Sequence, residues 1–175
     1  MVVFGGAQPK PGDPAYAEAY ELGRLLAQAG HTVMNGGYIG TMEAVSRGAA
    51  EAGGQVIGVT CGEIESWRQV APNPWLTVVW RCGTLLDRLE QLTDGCDAAI
   101  ALGGGIGTLL EISLMWNRLA IASLPPKPVI LVGAGWQHVF DCLYQEQGGA
   151  ILEKDRAWLK FAGDILAACA FLDAK

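Results

Sequence analysis

Through residues 101–111 the chain reads Ala101-Leu102-Gly103-Gly104-Gly105-Ile106-Gly107-Thr108-Leu109-Leu110-Glu111. A short apolar segment leads into a turn almost free of side chains, and an apolar helical pattern follows. A glycine turn between a strand and a helix leaves the backbone N–H groups of the first helical turn open to a ligand. The stretch therefore predicts a strand, turn and helix that bind a phosphate or another anion.

Short apolar segments alternate with helical patterns along the rest of the chain. The predicted strands are residues 2–4, 31–34, 55–60, 76–79, 98–102, 128–132 and 158–161. The predicted helices are residues 14–29, 41–52, 83–93, 136–147 and 163–172, with one more running from the glycine stretch to about residue 122. Residues 61–74, rich in turn formers, are expected to form an irregular loop. Because neighbouring parallel strands need crossover helices, this order predicts a doubly wound, Rossmann-like α/β fold.

Composition limits both the domain count and the partners. The chain has 175 residues, of which 51% are hydrophobic and 17% charged, which suits one globular domain over residues 1–175. With 12 basic against 18 acidic residues the net charge is −6. This balance opposes binding to a nucleic acid backbone, so no nucleic acid partner is expected.

Cysteine usage and hydropathy predict the compartment. The five cysteines form no C-x-x-C pair and no Cys/His ligand spacing, which favours reduced thiols and argues against a metal site. The first residues lack a signal-peptide pattern, and no apolar run is long enough to span a bilayer. We therefore expect a cytoplasmic protein that does not bind membranes.

A second glycine turn at residues 35–41 resembles the first. It reads Asn35-Gly36-Gly37-Tyr38-Ile39-Gly40-Thr41, against Gly104-Gly105-Ile106-Gly107-Thr108. Two such turns meeting at the carboxyl edge of a sheet could hold one anion between two helix N-termini, and both threonines could add a hydroxyl donor. The alternatives are tight packing without a ligand for the glycines and simple N-capping for the threonines. Neither turn is a G-x-G-x-x-G dinucleotide fingerprint or a P-loop.

Glu111 has two interpretations. Thr108 to Glu111 has the form of a capping box, in which the carboxylate would accept a hydrogen bond from the Thr108 N–H, and local sequence alone favours this role. The helix around it, however, is apolar on nearly every face, which predicts burial in the core or in a subunit interface. A carboxylate buried there is costly unless it is paired or used, and this favours a functional role.

Arg88 also has two interpretations. In the predicted helix 83–93 it falls at the edge of a leucine stripe, where it could lean into a cleft. Alternatively it is a solvated side chain paired with Asp87 or Glu90. Trp80 precedes this helix, so a base-stacking role for it stays open beside the more ordinary role in a core or interface.

These motifs resemble the LOG proteins, formerly labelled lysine decarboxylase-like, which are cytokinin riboside 5′-monophosphate phosphoribohydrolases. The family motif P-G-G-x-G-T-x-x-E is matched by residues 103–111, with Gly103 in place of proline. The family helix M-H-x-R-K aligns with residues 85–89 and places Arg88 on its arginine, at the family's spacing from Glu111. Leu86 and Leu89 replace its histidine and lysine, so some polar contacts to base or ribose are expected to be missing.

The resemblance implies a hydrolase that cleaves the N-glycosidic bond of a purine nucleoside 5′-monophosphate, AMP or an N6-modified AMP, to free base and ribose 5-phosphate. Arg88 and Glu111 would be catalytic, and water would attack without a cofactor. Phosphate would be held by the two glycine turns: Gly36, Gly37, Gly40, Thr41, Gly104, Gly105, Gly107 and Thr108. It also implies a homodimer with sites near the interface.

A non-catalytic nucleotide or molybdenum-cofactor carrier is the alternative. Carriers of this size resemble the chain and use the same glycine turns to hold a phosphorylated pterin. The resemblance also implies that such carriers lack an arginine paired with the motif glutamate at this spacing, which favours the enzyme. A decarboxylase is least favoured, because no lysine has a context suited to a pyridoxal Schiff base.

Overall fold

Seven parallel strands form one sheet in the computed structural model, which describes residues 1–173. Their order across the sheet is β4-β3-β2-β1-β5-β6-β7. The strands are β1 (Val2–Phe4), β2 (Val33–Asn35), β3 (Val56–Cys61), β4 (Val78–Cys82), β5 (Ala99–Ala101), β6 (Val129–Val132) and β7 (Leu159–Ala162). The predicted parallel α/β class is confirmed.

Eight helices connect or follow the strands within the described residues. They are α1 (Pro14–Gln28), α2 (Thr41–Glu51), α3 (Gly62–Arg68), α4 (Leu85–Asp94), α5 (Ile106–Ala120), α6 (Ala134–Gln147), α7 (Glu153–Arg156) and α8 (Ile165–Asp173). Asp13 is the N-cap of α1 with proline at the first helical position, and Gly30 follows that helix with a φ of +83°, both as predicted.

Two apolar clusters, one on each face of the sheet, make up the core. Residues that alternate along a strand point to opposite faces. Val2 and Phe4 therefore pack with residues of α4, α5 and α6, whereas Val3 packs with residues of α1, α2 and α8. Helices thus cover both faces, which makes the fold doubly wound.

The strand order reverses between β1 and β5. The chain winds from β1 through β2 and β3 to β4 on one side, and from β5 through β6 to β7 on the other. In open α/β sheets the crevice beyond the carboxyl ends of the strands at such a reversal is the usual ligand site. The Gly5-Gly6 turn follows β1, and the Gly103–Gly107 turn follows β5.

Several predicted elements differ from the structure. Residues 61–74 contain helix α3 instead of an irregular loop throughout. The fourth strand lies two to three residues later than predicted, because it pairs along β3 from Ile57↔Val78 to Cys61↔Cys82. Thr77 comes just before the strand. Its hydroxyl donates to the Val56 carbonyl and accepts from the Val56 N–H, both at 2.8 Å.

The short helix α7 is absent from the prediction, and α4 begins at Leu85, later than the expected start at residue 83. The Thr84 hydroxyl accepts the Asp87 N–H at 3.2 Å, and Asp87 accepts the Thr84 N–H at 3.3 Å. This capping box fixes the helix start and occupies the carboxylate of Asp87.

Over residues 1–173 no helix is long and apolar enough to cross a membrane. In the same described part of the chain, no group of three or more His, Cys, Asp or Glu side chains could hold a metal ion.

Candidate functional site

An open cavity of about 570 Å³ lies where the strand order reverses. Its walls are the loop after β1, residues 5–9, and the loop and first turn after β5, residues 103–108. Tyr38 and Met42 line it from the β2 side, and Arg88 and Glu111 also line it. The volume falls in the range of small-molecule sites.

The N-terminus of α5 opens into this cavity. Gly105 is the N-cap and offers no side-chain cap, and the first hydrogen bond of the helix runs from the Leu109 N–H to the Gly105 carbonyl at 3.0 Å. The N–H groups of Ile106, Gly107 and Thr108 come before that bond and have no carbonyl one turn back to accept them. With the positive end of the helix dipole, they form a site for an anion.

Three glycines keep that helix end clear. A Cβ atom at Gly103, Gly105 or Gly107 would meet no atom within 4 Å. Gly104 has a different role, because a Cβ there would overlap the Thr108 side chain. The glycine run thus leaves room for a ligand on one side and for Thr108 on the other.

Arg88 and Glu111 form a buried ion pair beside the helix end. Arg88 Nη1 lies 3.6 Å from Glu111 Oε1, and only 7% and 10% of the two side chains is exposed. Arg88 Nε donates to the Val59 carbonyl at 2.8 Å, and the guanidinium lies 5.8 Å from the centre of the Tyr38 ring. The alternative of a solvated Arg88 paired with Asp87 or Glu90 is therefore excluded.

Burial changes the acidity of Glu111. Desolvation of the carboxylate raises its pKa from the usual 4.5 to about 7, and the positive charge of Arg88 only partly opposes the shift. A carboxyl group with a pKa near neutrality can accept and release a proton at physiological pH. Such a shift in a cavity is typical of a functional carboxylate.

The capping-box interpretation of Glu111 is wrong. Helix α5 begins at Ile106, so Thr108 is already its third residue and is not the N-cap. The glutamate thus lies in the body of the helix and faces Arg88. The structure also modifies the expectation of a helix apolar on all faces: Ile112 and Met115 are buried, whereas Leu109 and Leu110 are exposed by 38% and 43%.

In the other glycine turn only Tyr38 lines the cavity, and the residues predicted to hold phosphate lie outside it. Gly36, Gly37, Gly40 and Thr41 are not among the lining residues. A Cβ at Gly36 would overlap Arg88 Nη2, so this glycine gives the arginine its space. Gly40 has a φ of +76°, and a Cβ there would overlap the backbone of Gly6 and Ala7.

The two glycine turns do not meet directly, contrary to the prediction, because the loop after β1 runs between them. The Gly6 N–H donates to the Gly103 carbonyl at 3.1 Å. The Gly6 carbonyl accepts the Thr41 N–H at 2.9 Å and the Thr41 hydroxyl at 3.0 Å. The Thr41 hydroxyl thus donates its proton to a backbone carbonyl. The helix N-terminus that opens into the cavity is that of α5.

The sequence left open whether Arg68 reaches the site, and it did not identify the wall formed by α3. Ile64, Trp67 and Arg68 line the cavity, although their segment carries no recognisable motif. Trp80, a candidate for base stacking, does not line it and instead lies near Gly95 at the end of α4. The three-to-four-residue spacing of Ile64, Trp67 and Arg68 is the one sequence signal for a helix here.

Fold and site together define a Rossmann-like α/β protein in which one cavity contains an open helix N-terminus and a buried arginine–glutamate pair. The chain belongs to the SLOG cluster4 family, whose model matches residues 1–157. The sequence-based recognition of the LOG proteins is confirmed.

One relative and two solved structures are similar to this chain. The cytokinin riboside 5′-monophosphate phosphoribohydrolase of Mycobacterium tuberculosis is 32% identical over 151 residues, covering 83% of this chain and 72% of the relative. The molybdenum cofactor binding protein of Rippkaea orientalis superposes with a TM-score of 0.74 at 26% identity, covering 99% of this chain and 93% of that one. The molybdenum cofactor carrier protein of Chlamydomonas reinhardtii superposes with a TM-score of 0.73 at 25% identity, covering 98% of this chain and 94% of that one.

Proposed function

We propose that this protein hydrolyses the N-glycosidic bond of a purine nucleoside 5′-monophosphate, AMP or an N6-modified AMP, giving free base and ribose 5-phosphate. The observation that carries the proposal is the buried pair of Arg88 and Glu111 in the cavity that also holds the open N-terminus of α5. Relatives named as phosphoribohydrolases support the reaction class.

In this proposal the 5′-phosphate binds the free N–H groups of Ile106, Gly107 and Thr108. This places the ribose beside Glu111, whose negative charge stabilises the positive charge that develops at C1′ as the bond to the base breaks. The oxygen of a water molecule bonds to C1′, and Glu111 takes the proton which that water loses. The base leaves with the bonding electrons and takes a proton from solvent, and Glu111 then releases its proton to solvent, so no cofactor is required.

Arg88 has an orienting role in the same proposal. Its Nε–H is fixed on the Val59 carbonyl, which leaves Nη1 directed at Glu111. A guanidinium held in this way keeps the carboxylate in place and offers further N–H donors to the ligand.

The test is release of adenine from AMP, followed by liquid chromatography. The wild type should release adenine, whereas Glu111→Gln and Arg88→Ala should each lose activity by about 100-fold or more. Glu90→Gln, on the exposed side of α4, is the matched control and should retain the wild-type rate. Wild-type rates in both site variants would refute the mechanism.

A molybdenum-cofactor carrier is the second candidate, because solved carrier structures superpose on almost the whole chain. The purified protein distinguishes the two functions. A bound pterin chromophore together with inert AMP would establish the carrier, whereas adenine release would establish the enzyme.

We also infer a homodimer that buries an apolar patch beside the cavity, as the LOG resemblance implies. The patch consists of Leu86 on α4 and Ile106, Leu109 and Leu110 on α5, with exposures of 76%, 88%, 38% and 43%. A group of exposed large apolar side chains on two helices that contact each other suits an interaction surface. Ile106 lies in both the patch and the cavity lining, so a second copy of the chain here would border the site.

A further inference from the structure

Helix α3 is held over the cavity by its acidic side chains. Glu63 Oε2 accepts the Leu85 N–H at the start of α4 at 2.8 Å. Glu65 Oε1 accepts the Tyr38 hydroxyl at 3.4 Å and lies 3.6 Å from Arg81 Nη1. Both carboxylates thus attach the helix to its neighbours and fix which side turns to the cavity.

The side that faces the cavity carries Ile64, Trp67 and Arg68. Positions three and four residues apart lie on one face of a helix, so these side chains form a continuous wall. Trp67 is 76% exposed, an unusual state for the largest apolar side chain. The Arg68 guanidinium lies 4.8 Å from the centre of the indole ring and covers one face of it.

The cavity therefore has two chemically distinct walls. One is the N-terminus of α5, with free N–H groups and glycines that suit a phosphate. The other is the Ile64–Trp67–Arg68 face of α3, which offers an aromatic surface and a positive charge. A ligand that fits both walls combines an anionic group with a planar heterocycle.

We propose that Trp67 is the specificity-determining residue of this site and stacks on the base of the bound nucleotide. Stacking on an indole favours a large ring system, so the site prefers a purine to a pyrimidine. Ile64 extends the apolar surface, and Arg68 holds the indole from its other face. The inference rests on the proposed function only in taking a nucleotide as the ligand, and binding tests it without turnover.

The experiment measures dissociation constants by calorimetry in a Glu111→Gln background, so that AMP is not consumed. Trp67→Ala should raise the Kd for AMP by about tenfold. Ribose 5-phosphate has no base, so its Kd should be unchanged by the same substitution. Trp67→Phe keeps an aromatic ring and should restore most of the affinity for AMP.

Trp80→Ala is the matched control, since Trp80 is a partly exposed tryptophan outside the cavity lining, and it should leave both constants unchanged. The proposal is overturned if Trp67→Ala binds AMP as tightly as the parent does. It is also overturned if the affinity for ribose 5-phosphate falls by the same factor, because Trp67 would then support the site as a whole. If binding depends on the base as expected but the wild-type protein releases no adenine, the proposed hydrolase is refuted and this inference stands.

Discussion

Glu111 is buried next to a positive charge, and its protonation state decides what the cavity can do. As a carboxylate it can accept a proton from water and stabilise positive charge at C1′, whereas in its protonated form it can do neither. Because its pKa is about 7, both forms are populated near neutral pH. Activity and stability should therefore change with pH in opposite directions.

The first prediction concerns the rate. If Glu111 acts as a carboxylate, kcat/KM for AMP should rise about tenfold per pH unit at acidic pH and level off above a pH of about 7. Initial rates of adenine release across this range measure the profile. A rate constant that does not change between about pH 5 and pH 8 would show that the ionised carboxylate is not required.

The second prediction concerns stability. Glu111 has a folded-state pKa above its usual 4.5, so the folded protein binds the extra proton between pH 4.5 and about 7. The stabilisation is complete below pH 4.5 and is lost as the pH rises through 7. Glu111→Gln lacks this titration. Between acidic and mildly alkaline pH, its free energy of unfolding should therefore rise by up to about 3 kcal/mol relative to that of the wild type.

Urea unfolding of both proteins at about pH 5 and pH 8 gives the difference in free energy of unfolding. The same series on Glu90→Gln serves as control. A stability difference between Glu111→Gln and the wild type that is independent of pH would contradict the raised pKa.

The third prediction concerns Gly36, which gives Arg88 its space. In Gly36→Ala the new methyl group overlaps Arg88 Nη2 and the Met42 sulfur, so the guanidinium must shift from the position in which it pairs with Glu111. We expect a loss of about 1–3 kcal/mol in the free energy of unfolding, together with reduced adenine release. Gly135→Ala is the control, since a Cβ there meets no atom within 4 Å, and equal behaviour of the two variants would count against this role of Gly36.

At the scale of elements, the N-terminus of α5 provides the fourth prediction. Gly107 and Gly135 each occupy the second position of a helix, α5 and α6, and a Cβ added at either glycine would meet no atom within 4 Å. Gly107 lines the cavity and Gly135 does not. Gly107→Ala should therefore weaken binding of ribose 5-phosphate by about tenfold. The fold should remain stable, because alanine forms helices better than glycine does.

Calorimetric titration of ribose 5-phosphate measures the effect, and Gly135→Ala should bind like the wild type. If Gly107→Ala retains full affinity, the phosphate does not approach this helix end.

At the scale of the whole molecule, the apolar patch on α4 and α5 provides the fifth prediction. Leu86 and Leu166 are both exposed leucines at the second position of a helix, α4 and α8, on opposite faces of the sheet. Leu86→Asp introduces a charge into the patch and should convert the dimer to monomers, because an unpaired charge is costly in an interface. Leu166→Asp should leave the mass in solution unchanged.

Size-exclusion chromatography with light scattering measures both masses. A monomer mass for the wild type would refute the dimer. A dimer mass for Leu86→Asp would show that the interface does not include this patch.

The sequence by itself determined the alternation of strands and helices, because apolar periodicity and glycine turns are local signals. It also singled out the turn before α5, whereas the resemblance to the LOG proteins was needed to select Arg88 and Glu111 as catalytic candidates. The position of helix α3 could not be predicted, since it depends on hydrogen bonds that Glu63 and Glu65 accept from Leu85 and Tyr38, which lie 22 and 27 positions away in the sequence.

Only the tertiary structure decided which glycine turn faces the cavity. The two turns resemble each other in sequence, yet the loop after β1 occupies the space between them and engages Thr41. It likewise decided that Glu111 faces Arg88 instead of capping its own helix, and it brought Trp67 to the cavity. These outcomes depend on which segments are neighbours across the sheet, and the strand order that sets them is a property of the whole fold.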